Sequence, residues 1–322
     1  MNHPKRLNRI ATAAMIPLVA VGFFVALRAM DPEPAPPFVP EGQLVLANLR
    51  DESLTFFDFE AGERVDVELA GPPHEMVQVA GTVFVTLGRK DAIAQVNLAS
   101  RTVERYLVMA GSPHGIATDG KRLFVSLDEA GEIVVLDALT LAESERIATG
   151  DTPHAITLLG DTIFVANSRD GTVGAIGSLS TVTRASGTLP ESVAVAGAAS
   201  LAVANTGDGT VALFALPGME RAAVYVVEGR PVRVIPFGND LLVARSQFGD
   251  VVVLDPVGGG LRASVTVGRL SDGLCVAPSG SWLAAASNGE NMLRMIGTEE
   301  WTVSMSYPTA DGPGSCLWLP AN

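Results

Sequence analysis

The sequence predicts an all-β protein with the architecture of a seven-bladed β-propeller. Two observations carry this prediction. A unit of about forty residues recurs seven times, and each unit contains short β-branched apolar runs joined by Asp-Gly or Asn-Gly type turns. Such turns between apolar runs are typical of β-hairpins. Four strands per unit, repeated at about forty residues without helical periodicity, are typical of propeller blades.

The four predicted strands of a unit follow one another in a fixed order. The first begins after a proline, as in "HGIATD", the second and third form a hairpin, as in "RLFVSLDEAGEIVVLDA", and the fourth is "AESERIATG". The first unit starts at its second strand, "QLVLANL", and the chain finishes on a lone first strand, "GSCLWLPAN". We therefore predict that the C-terminal strand completes the first blade, with Cys316 and Leu317 pairing beside Val45, because closing the ring removes exposed edges.

The N-terminal residues predict export from the cytoplasm. Lys5, Arg6 and Arg9 precede an uncharged run of 18 residues that ends at Arg28. A basic region before an apolar stretch of this length is typical of a signal anchor with its N-terminus inside, and a cleaved signal peptide is the alternative. We assign residues 1–30 to the anchor, 31–42 to a proline-rich linker and 43–322 to the propeller. The expected location is the periplasm or cell surface, tethered to the cytoplasmic membrane, or secreted after cleavage.

Charge limits the partners of the folded part. The chain has 22 basic and 35 acidic residues, a net charge of -13. Phosphate backbones bind basic surfaces, so nucleic acid is not an expected partner. An anionic membrane surface would repel the propeller for the same reason, so we expect membrane contact only through the N-terminal helix. We expect a monomeric propeller.

The repeat resembles a known family. Units such as "GDTPHAITLLGDTIFVANSRDGTVGAIG", with "FVAN" followed by "DGTV", are similar to the YVTN-type β-propeller repeats of exported bacterial and archaeal proteins. The similarity covers nearly all of residues 42–320 and is weakest in the last two units. This resemblance implies the fold and an extracytoplasmic location, but it implies no chemistry, because propellers carry many unrelated functions.

The histidines of the repeat all occupy one position. Pro-His recurs in three successive units, and apart from His3 these are the only histidines of the chain. Because the first strands of a propeller line its central channel, equivalent residues should form a ring at the channel mouth. The predicted ring consists of His74, His114, His154, Glu191, Val232, Asp272 and Pro313.

Two interpretations of this ring remain open. Imidazoles beside carboxylates suit a divalent transition metal such as zinc or copper, with His74, His114 and His154 as ligands. Glu191, Arg233 and Asp272 are the candidate ligand-binding residues at the same mouth. Streptogramin B lyases resemble this outline in architecture only, so no residue role is transferred from them. Alternatively, the histidines are a structural feature copied with the repeat.

Two further side-chain predictions concern this region. Arg233 follows the ring position in its unit and is expected to pair with Glu191 or to meet an anionic ligand. Cys275 and Cys316 are read as equivalent positions of successive first strands, pointing the same way round the ring. We therefore predict two buried free thiols rather than a disulfide.

Two functions are compatible with the sequence. The first is a membrane-tethered, extracytoplasmic propeller that binds another protein or a polymer without catalysis. The alternative is a metal-binding protein or a metal-dependent, lyase-like enzyme that uses the histidine ring. No serine-hydrolase elbow, haem-attachment motif, phosphate loop or spaced calcium loop occurs in the chain.

Overall fold

Seven four-stranded antiparallel sheets form the part of the chain that the structure describes. The structure is a computed structural model, and it describes residues 40–177 and 180–319. Within these residues 28 strands form seven sheets of four, so the predicted seven-bladed β-propeller is confirmed. The predicted anchor at 1–30 and all of the linker at 31–42 except its last three residues lie outside the described residues.

The two inner strands of each blade, taken from blade one to blade seven, are as follows. The first strands are β28 (Pro313–Leu319), β4 (Met76–Val79), β8 (Pro113–Thr118), β12 (Pro153–Leu159), β16 (Pro190–Ala196), β20 (Pro231–Phe237) and β24 (Ser271–Val276). The second strands are β1 (Gln43–Asn48), β5 (Thr82–Leu87), β9 (Arg122–Leu127), β13 (Thr162–Asn167), β17 (Ser200–Asn205), β21 (Asp240–Arg245) and β25 (Trp282–Ser287).

The two outer strands follow in the same blade order. The third strands are β2 (Ser53–Asp58), β6 (Ala92–Asn97), β10 (Glu132–Asp137), β14 (Thr172–Ile176), β18 (Thr210–Ala215), β22 (Asp250–Leu254) and β26 (Met292–Gly297). The fourth strands are β3 (Glu63–Glu68), β7 (Thr102–Val108), β11 (Glu143–Ala148), β15 (Thr181–Ala185), β19 (Glu220–Val226), β23 (Leu261–Thr266) and β27 (Thr302–Pro308).

The core lies between neighbouring sheets. Second strands such as β13 are buried on both faces, which explains their unbroken apolar runs, whereas fourth strands such as β11 are mostly exposed. Each sheet is therefore covered by the blades on either side, and burying both faces of the inner strands favours the stacked ring. Within the described residues, no helix is long and apolar enough to cross a bilayer.

The C-terminal strand closes the ring in the predicted way. β28 pairs antiparallel with β1, and the register sets Val45 opposite Leu317 and Leu46 opposite Cys316. Aromatic packing consolidates this blade against blade seven, with the rings of Phe59 and Tyr307 centred 5.5 Å apart. The first blade is thus built from both ends of the described chain.

The predicted ring is wrong by one residue in this last strand. Pro313 pairs with Asn48, just as Pro153 pairs with Asn167. Pro313 is therefore equivalent to the proline that precedes each histidine, and Gly314 holds the ring position in blade one. The repeat itself obscures this register, because β24 starts at Ser271 where most blades have the proline that precedes the ring position.

The same slip made the prediction of free thiols wrong. Cys275 and Cys316 form a disulfide, with their Cα atoms 5.9 Å apart. Cys316 lies opposite Leu46 of β1. The equivalent position in blade seven, opposite Ala285, is occupied by Leu274 and not by Cys275. Successive residues of a strand point to opposite faces, so a shift of one residue turns the two sulfurs towards each other across the blade interface.

Candidate functional site: the channel mouth

The turn motif of the repeat fixes the loop that leads into each channel strand. In blade four, Asn167 Oδ1 accepts a hydrogen bond from Gly150 N at 3.2 Å, and Asp170 Oδ2 accepts one from Asp151 N at 2.7 Å. Gly171, with φ of 66°, supplies the left-handed conformation that the turn needs. The "N-x-x-D-G-T" pattern therefore acts structurally, holding the loop from which Pro153 and the ring residue emerge.

The three histidines of blades two, three and four converge as neighbours. The ring centroids of His74 and His114 are 4.5 Å apart, and those of His114 and His154 are 3.8 Å apart, with interplanar angles of 43° and 38°. The imidazoles therefore form a tilted stack along one wall of the mouth. At its end His154 Nδ1 lies 3.0 Å from the carbonyl oxygen of Glu191. Because a carbonyl only accepts, the proton sits on Nδ1 of His154 and leaves Nε2 as an acceptor.

Two buried hydroxyl groups hold this stack, and sequence reasoning missed them. Thr86 Oγ1 donates to the carbonyl oxygen of His114 at 2.5 Å, and Ser126 Oγ donates to that of His154 at 2.7 Å. Each hydroxyl lies on the second strand of one blade and reaches the histidine of the next. The other five blades have alanine at this position: Ala47, Ala166, Ala204, Ala244 and Ala286. The sequence did contain a signal for these contacts. Thr86 and Ser126 are hydroxyl residues inside apolar strands, and each lies in a unit that is followed by a Pro-His unit.

A glycine permits the close approach of the channel strands β8 and β12. A Cβ atom on Gly115 would lie 2.1 Å from the carbonyl oxygen of His154 and 2.9 Å from Ser126 Oγ. Any larger residue would push the two strands apart at the level of the imidazole stack. The residue after His114 is therefore glycine for a steric reason that only the assembled ring reveals.

Arg233 does not pair with Glu191, and that prediction is wrong. Its guanidinium crosses the channel, with Nη2 2.7 Å from Glu75 Oε1 and 3.6 Å from Asp272 Oδ1. Glu191 instead accepts a hydrogen bond from Thr206 Oγ1 at 2.9 Å. Arg233 and Glu75 each follow the ring position of their blades, so the ion pair forms a layer just below the ring.

The mouth is a small polar cavity whose floor is this ion pair. It encloses about 200 Å³ and is lined by all six predicted site residues: His74, His114, His154, Glu191, Arg233 and Asp272. A second cavity of about 280 Å³ shares Glu75 and Arg233 and extends down the channel. Two buried atoms at the mouth, His114 Nδ1 and Arg233 Nε, have no hydrogen-bond partner among the described residues. Unpaired buried polar atoms are costly, so they favour an additional polar group at this position.

Burial sets the charge of the mouth. It lowers the pKa of His154 to about 4 and that of His114 well below its usual value, with neighbouring imidazoles adding to the effect on His114. It also lowers the pKa of His74, although Glu75 opposes the shift. The imidazoles are therefore neutral at pH 7. Among the residues that line the cavity, the carboxyl groups of Glu75, Glu191 and Asp272 face one guanidinium, that of Arg233. Arg230 acts on Glu191 from outside the cavity, so three carboxyl groups meet two arginines and the mouth still favours positive charge.

The histidine stack is not a preformed metal cage. Among residues 40–177 and 180–319, no group of three or more His, Cys, Asp or Glu side chains is arranged to hold a metal ion. The neighbouring rings are instead stacked at a tilt, with interplanar angles of 43° and 38°. In the arrangement described, the donor set does not fit a tetrahedral transition-metal site.

Comparison with known proteins supports the fold and leaves the site unassigned. No protein-family profile matches the chain, and no curated protein sequence matches it. Solved structures do match. Hydrazine synthase of Kuenenia stuttgartiensis has a TM-score of 0.72 at 17% identity, with 86% of this chain and 99% of that chain covered. The dihydro-haem d1 dehydrogenase NirN in complex with DHE has a TM-score of 0.64 at 12% identity, covering 86% of this chain and 66% of that one.

A streptogramin B lyase structure is also similar, with a TM-score of 0.66 at 13% identity over 77% of this chain and 89% of that chain. Identities this low establish only the shared propeller architecture. The three matched proteins differ in chemistry by their names, which agrees with the rule that propeller function resides in individual sites.

Proposed function

We propose that this protein is an extracytoplasmic binding module, tethered to the membrane by its N-terminal segment, that holds a cationic group of a partner protein or polymer in the histidine mouth without catalysis. The observation that carries the proposal is the mouth cavity itself, where neutral imidazoles and three carboxyl groups surround one arginine. Such a set offers acceptors and net negative charge, which suits an ammonium or guanidinium group.

Three features support the extracytoplasmic part of the proposal. The basic and apolar N-terminal residues predict export. The Cys275–Cys316 disulfide suits an oxidising compartment. The repeat also resembles the YVTN-type propellers of exported proteins. The chain enters the propeller at Gln43, which pairs with Leu319 at the end of β28 farthest from Gly314.

The test is a calorimetric titration of the full-length protein with a tetralysine peptide and, in parallel, a tetraglutamate peptide. We expect tetralysine to bind, and Asp272→Asn to weaken its affinity about tenfold, or about 1.4 kcal/mol, because the variant removes one mouth charge. Asp161→Asn is the matched control, since its carboxylate is 91% exposed and lies in the turn between β12 and β13, away from the mouth. Equal losses in both variants would indicate only non-specific attraction to an acidic protein and would refute the mouth site.

A divalent transition metal is the second candidate ligand. Its specific support is that all three imidazoles are held neutral by burial, the protonation state in which imidazole binds zinc or copper. Binding would require the stacked rings to rotate. In the same titration with zinc or copper alone, about one equivalent bound and lost in His114→Ala would favour the metal-binding or lyase-like alternative. A stoichiometry unchanged by His114→Ala would exclude the stack as the metal site.

A further inference from the structure

Carboxylates in the turns between second and third strands fasten the neighbouring loops in several blades. Asp170 of blade four, Asp208 of blade five and Glu290 of blade seven each accept a hydrogen bond from a backbone N–H of the loop before their own blade. The distances are 2.7, 2.7 and 3.2 Å, and the donors are Asp151, Thr188 and Arg269. The acidic side chain at this turn position therefore has a structural role.

Blade six lacks this carboxylate, as do blade two, which has Lys90 there, and blade three, which has Ala130. Phe248 occupies the turn position that Asp170 has in blade four. Gly229 is equivalent to Asp151, whose N–H donates to that carboxylate. The ring packs against that glycine so closely that a Cβ atom there would lie 2.5 Å from Phe248 Cδ2. The guanidinium of Arg245 lies 4.8 Å from the ring centroid and is itself fixed by Asp250 at 2.6 Å. Phe248 is thus held in place while 50% of it remains exposed.

The exposed phenylalanine forms one wall of a groove between blades six and seven. The groove encloses about 780 Å³, and Leu270, which is 53% exposed, lines it as well. Two large apolar side chains that line one groove and are each half exposed are more typical of a binding surface than of ordinary solvated turns. The apolar part of the groove can therefore receive one apolar side chain of a ligand.

Two arginines give the same groove a positive charge. Arg230 lines it and forms no ion pair within the described residues. The guanidinium of Arg269 likewise forms no ion pair within the described residues, and its Nη2 donates to the carbonyl oxygen of Gly289 at 2.9 Å. The acidic lining residue, Glu290, is neutralised by Arg294 at 3.0 Å. A local excess of positive charge in a chain with 35 acidic and 22 basic residues indicates a specific acidic ligand.

We infer that this groove docks a segment of a partner protein in which a carboxylate stands next to an apolar side chain. The apolar side chain packs between Phe248 and Leu270, and the carboxylate meets Arg230. The partner thus supplies the acidic group that the turn of blade six lacks. The groove lies on the face of the histidine mouth, because Arg230 directly precedes Pro231 at the start of β20. It shares no lining residue with the mouth cavity, although the charge of Arg230 also acts on Glu191 of the mouth.

The test uses a phage-displayed library of random dodecapeptides selected on the full-length protein. Enriched peptides are synthesised, and their affinities are measured by fluorescence polarisation for the wild type, Phe248→Asp and Leu139→Asp. Phe248→Asp restores the turn carboxylate and removes the apolar wall. Leu139→Asp is the matched control, because Leu139 is 76% exposed in the turn between β10 and β11, on the face opposite the mouth.

We expect enriched peptides to place Asp or Glu beside Leu, Phe, Ile or Met. Their affinity should fall at least tenfold in Phe248→Asp and severalfold in Arg230→Gln, and it should be unchanged in Leu139→Asp. Peptides without this pattern, or equal binding to Phe248→Asp, would overturn the inference. Binding of phenylbutyrate as tight as that of the peptides would show a small-acid site and would also overturn it. Thermal unfolding of each variant confirms that the fold is intact.

Discussion

At the scale of single residues, the mouth depends on imidazoles that burial keeps neutral. His154 shows the effect most clearly, because its pKa falls to about 4 while its Nδ1 proton is committed to the carbonyl oxygen of Glu191. A protonated His154 would be a buried charge beside the imidazole of His114. Acidification should therefore disturb this wall of the mouth before it disturbs the rest of the propeller.

The corresponding prediction concerns stability between pH 6.5 and 4. An unfolded histidine gains its proton at about pH 6.5, whereas His154 in the folded protein gains it only near pH 4. Lowering the pH through this window therefore favours the unfolded state, by up to about 3 kcal/mol for this residue. Asn in His154→Asn keeps a donor for Glu191 but cannot titrate. We expect the wild type to lose stability relative to this variant as the pH falls, measured by urea unfolding.

A comparison with the variant is needed because other groups act in the opposite direction. Burial raises the pKa of Asp128 to about 7 and also raises those of Glu191 and Asp272. Folded carboxyl groups with raised pKa values take up protons before the unfolded chain does, so they stabilise the fold as the pH falls. A parallel pH dependence of wild type and His154→Asn would contradict the low pKa of His154. An NMR titration of the imidazole protons gives the midpoint directly.

At the scale of elements, the spacing of channel strands decides whether the histidines can stack. β8 and β12 approach so closely that Gly115 has no room for a side chain, and the hydroxyls of Thr86 and Ser126 bind the strands across the blade boundary. The imidazole stack is thus a consequence of how two sheets pack. The Pro-His repeat alone places the rings at the mouth but does not set their separation.

We therefore expect Gly115→Ala to lower the free energy of unfolding by about 1–3 kcal/mol, the usual cost of overpacking. The new methyl group would meet a backbone carbonyl that cannot move without displacing β12. Gly260→Ala is the control, because a Cβ atom there meets nothing within 4 Å. Denaturant unfolding of both variants measures the difference. A Gly115→Ala protein as stable as the control would mean that the strands separate at little cost.

At the scale of the whole molecule, the ring is closed by pairing between distant parts of the chain. β28 completes the sheet begun by β1, and the Cys275–Cys316 disulfide joins that strand to blade seven across 41 residues. In blade one, no hairpin turn joins the first strand, β28, to the second strand, β1. The disulfide therefore reinforces this blade. We expect blade one to open first in unfolding. Pairing β1 with β28 closes a loop that contains almost the whole described chain, and the entropy cost of closing a loop grows with its length.

Removal of the disulfide should weaken this closure measurably. For a loop of about 40 residues the chain-entropy estimate is about 4 kcal/mol. We expect Cys275→Ala/Cys316→Ala to lower the midpoint of thermal unfolding while the native circular dichroism spectrum is kept. Reduction of the wild type should produce the same decrease, and reduction of the double variant should produce none. An unchanged midpoint in the double variant would show that strand pairing alone secures the ring.

The sequence by itself determined the propeller, the number of blades and the closure by the C-terminal strand. Periodic hairpins and an incomplete first unit are local and countable, and each buried strand leaves a continuous apolar run. It also placed six site residues at one channel mouth, since equivalent positions of a closed repeat must form a ring. The export signals at 1–30 remain predictions from composition.

Only the tertiary structure decided which of these residues touch. The partner of Arg233 is Glu75, four blades away in the chain order, and no spacing along the sequence encodes a contact across a channel. The disulfide and the ring position of Gly314 depended on a register of one residue, which strand pairing fixes and a drifting repeat does not. Side-chain direction in a strand reverses with every residue. An error of one residue in β28 therefore left the predicted fold correct but made two predictions wrong, the ring position of Pro313 and the free thiols of Cys275 and Cys316.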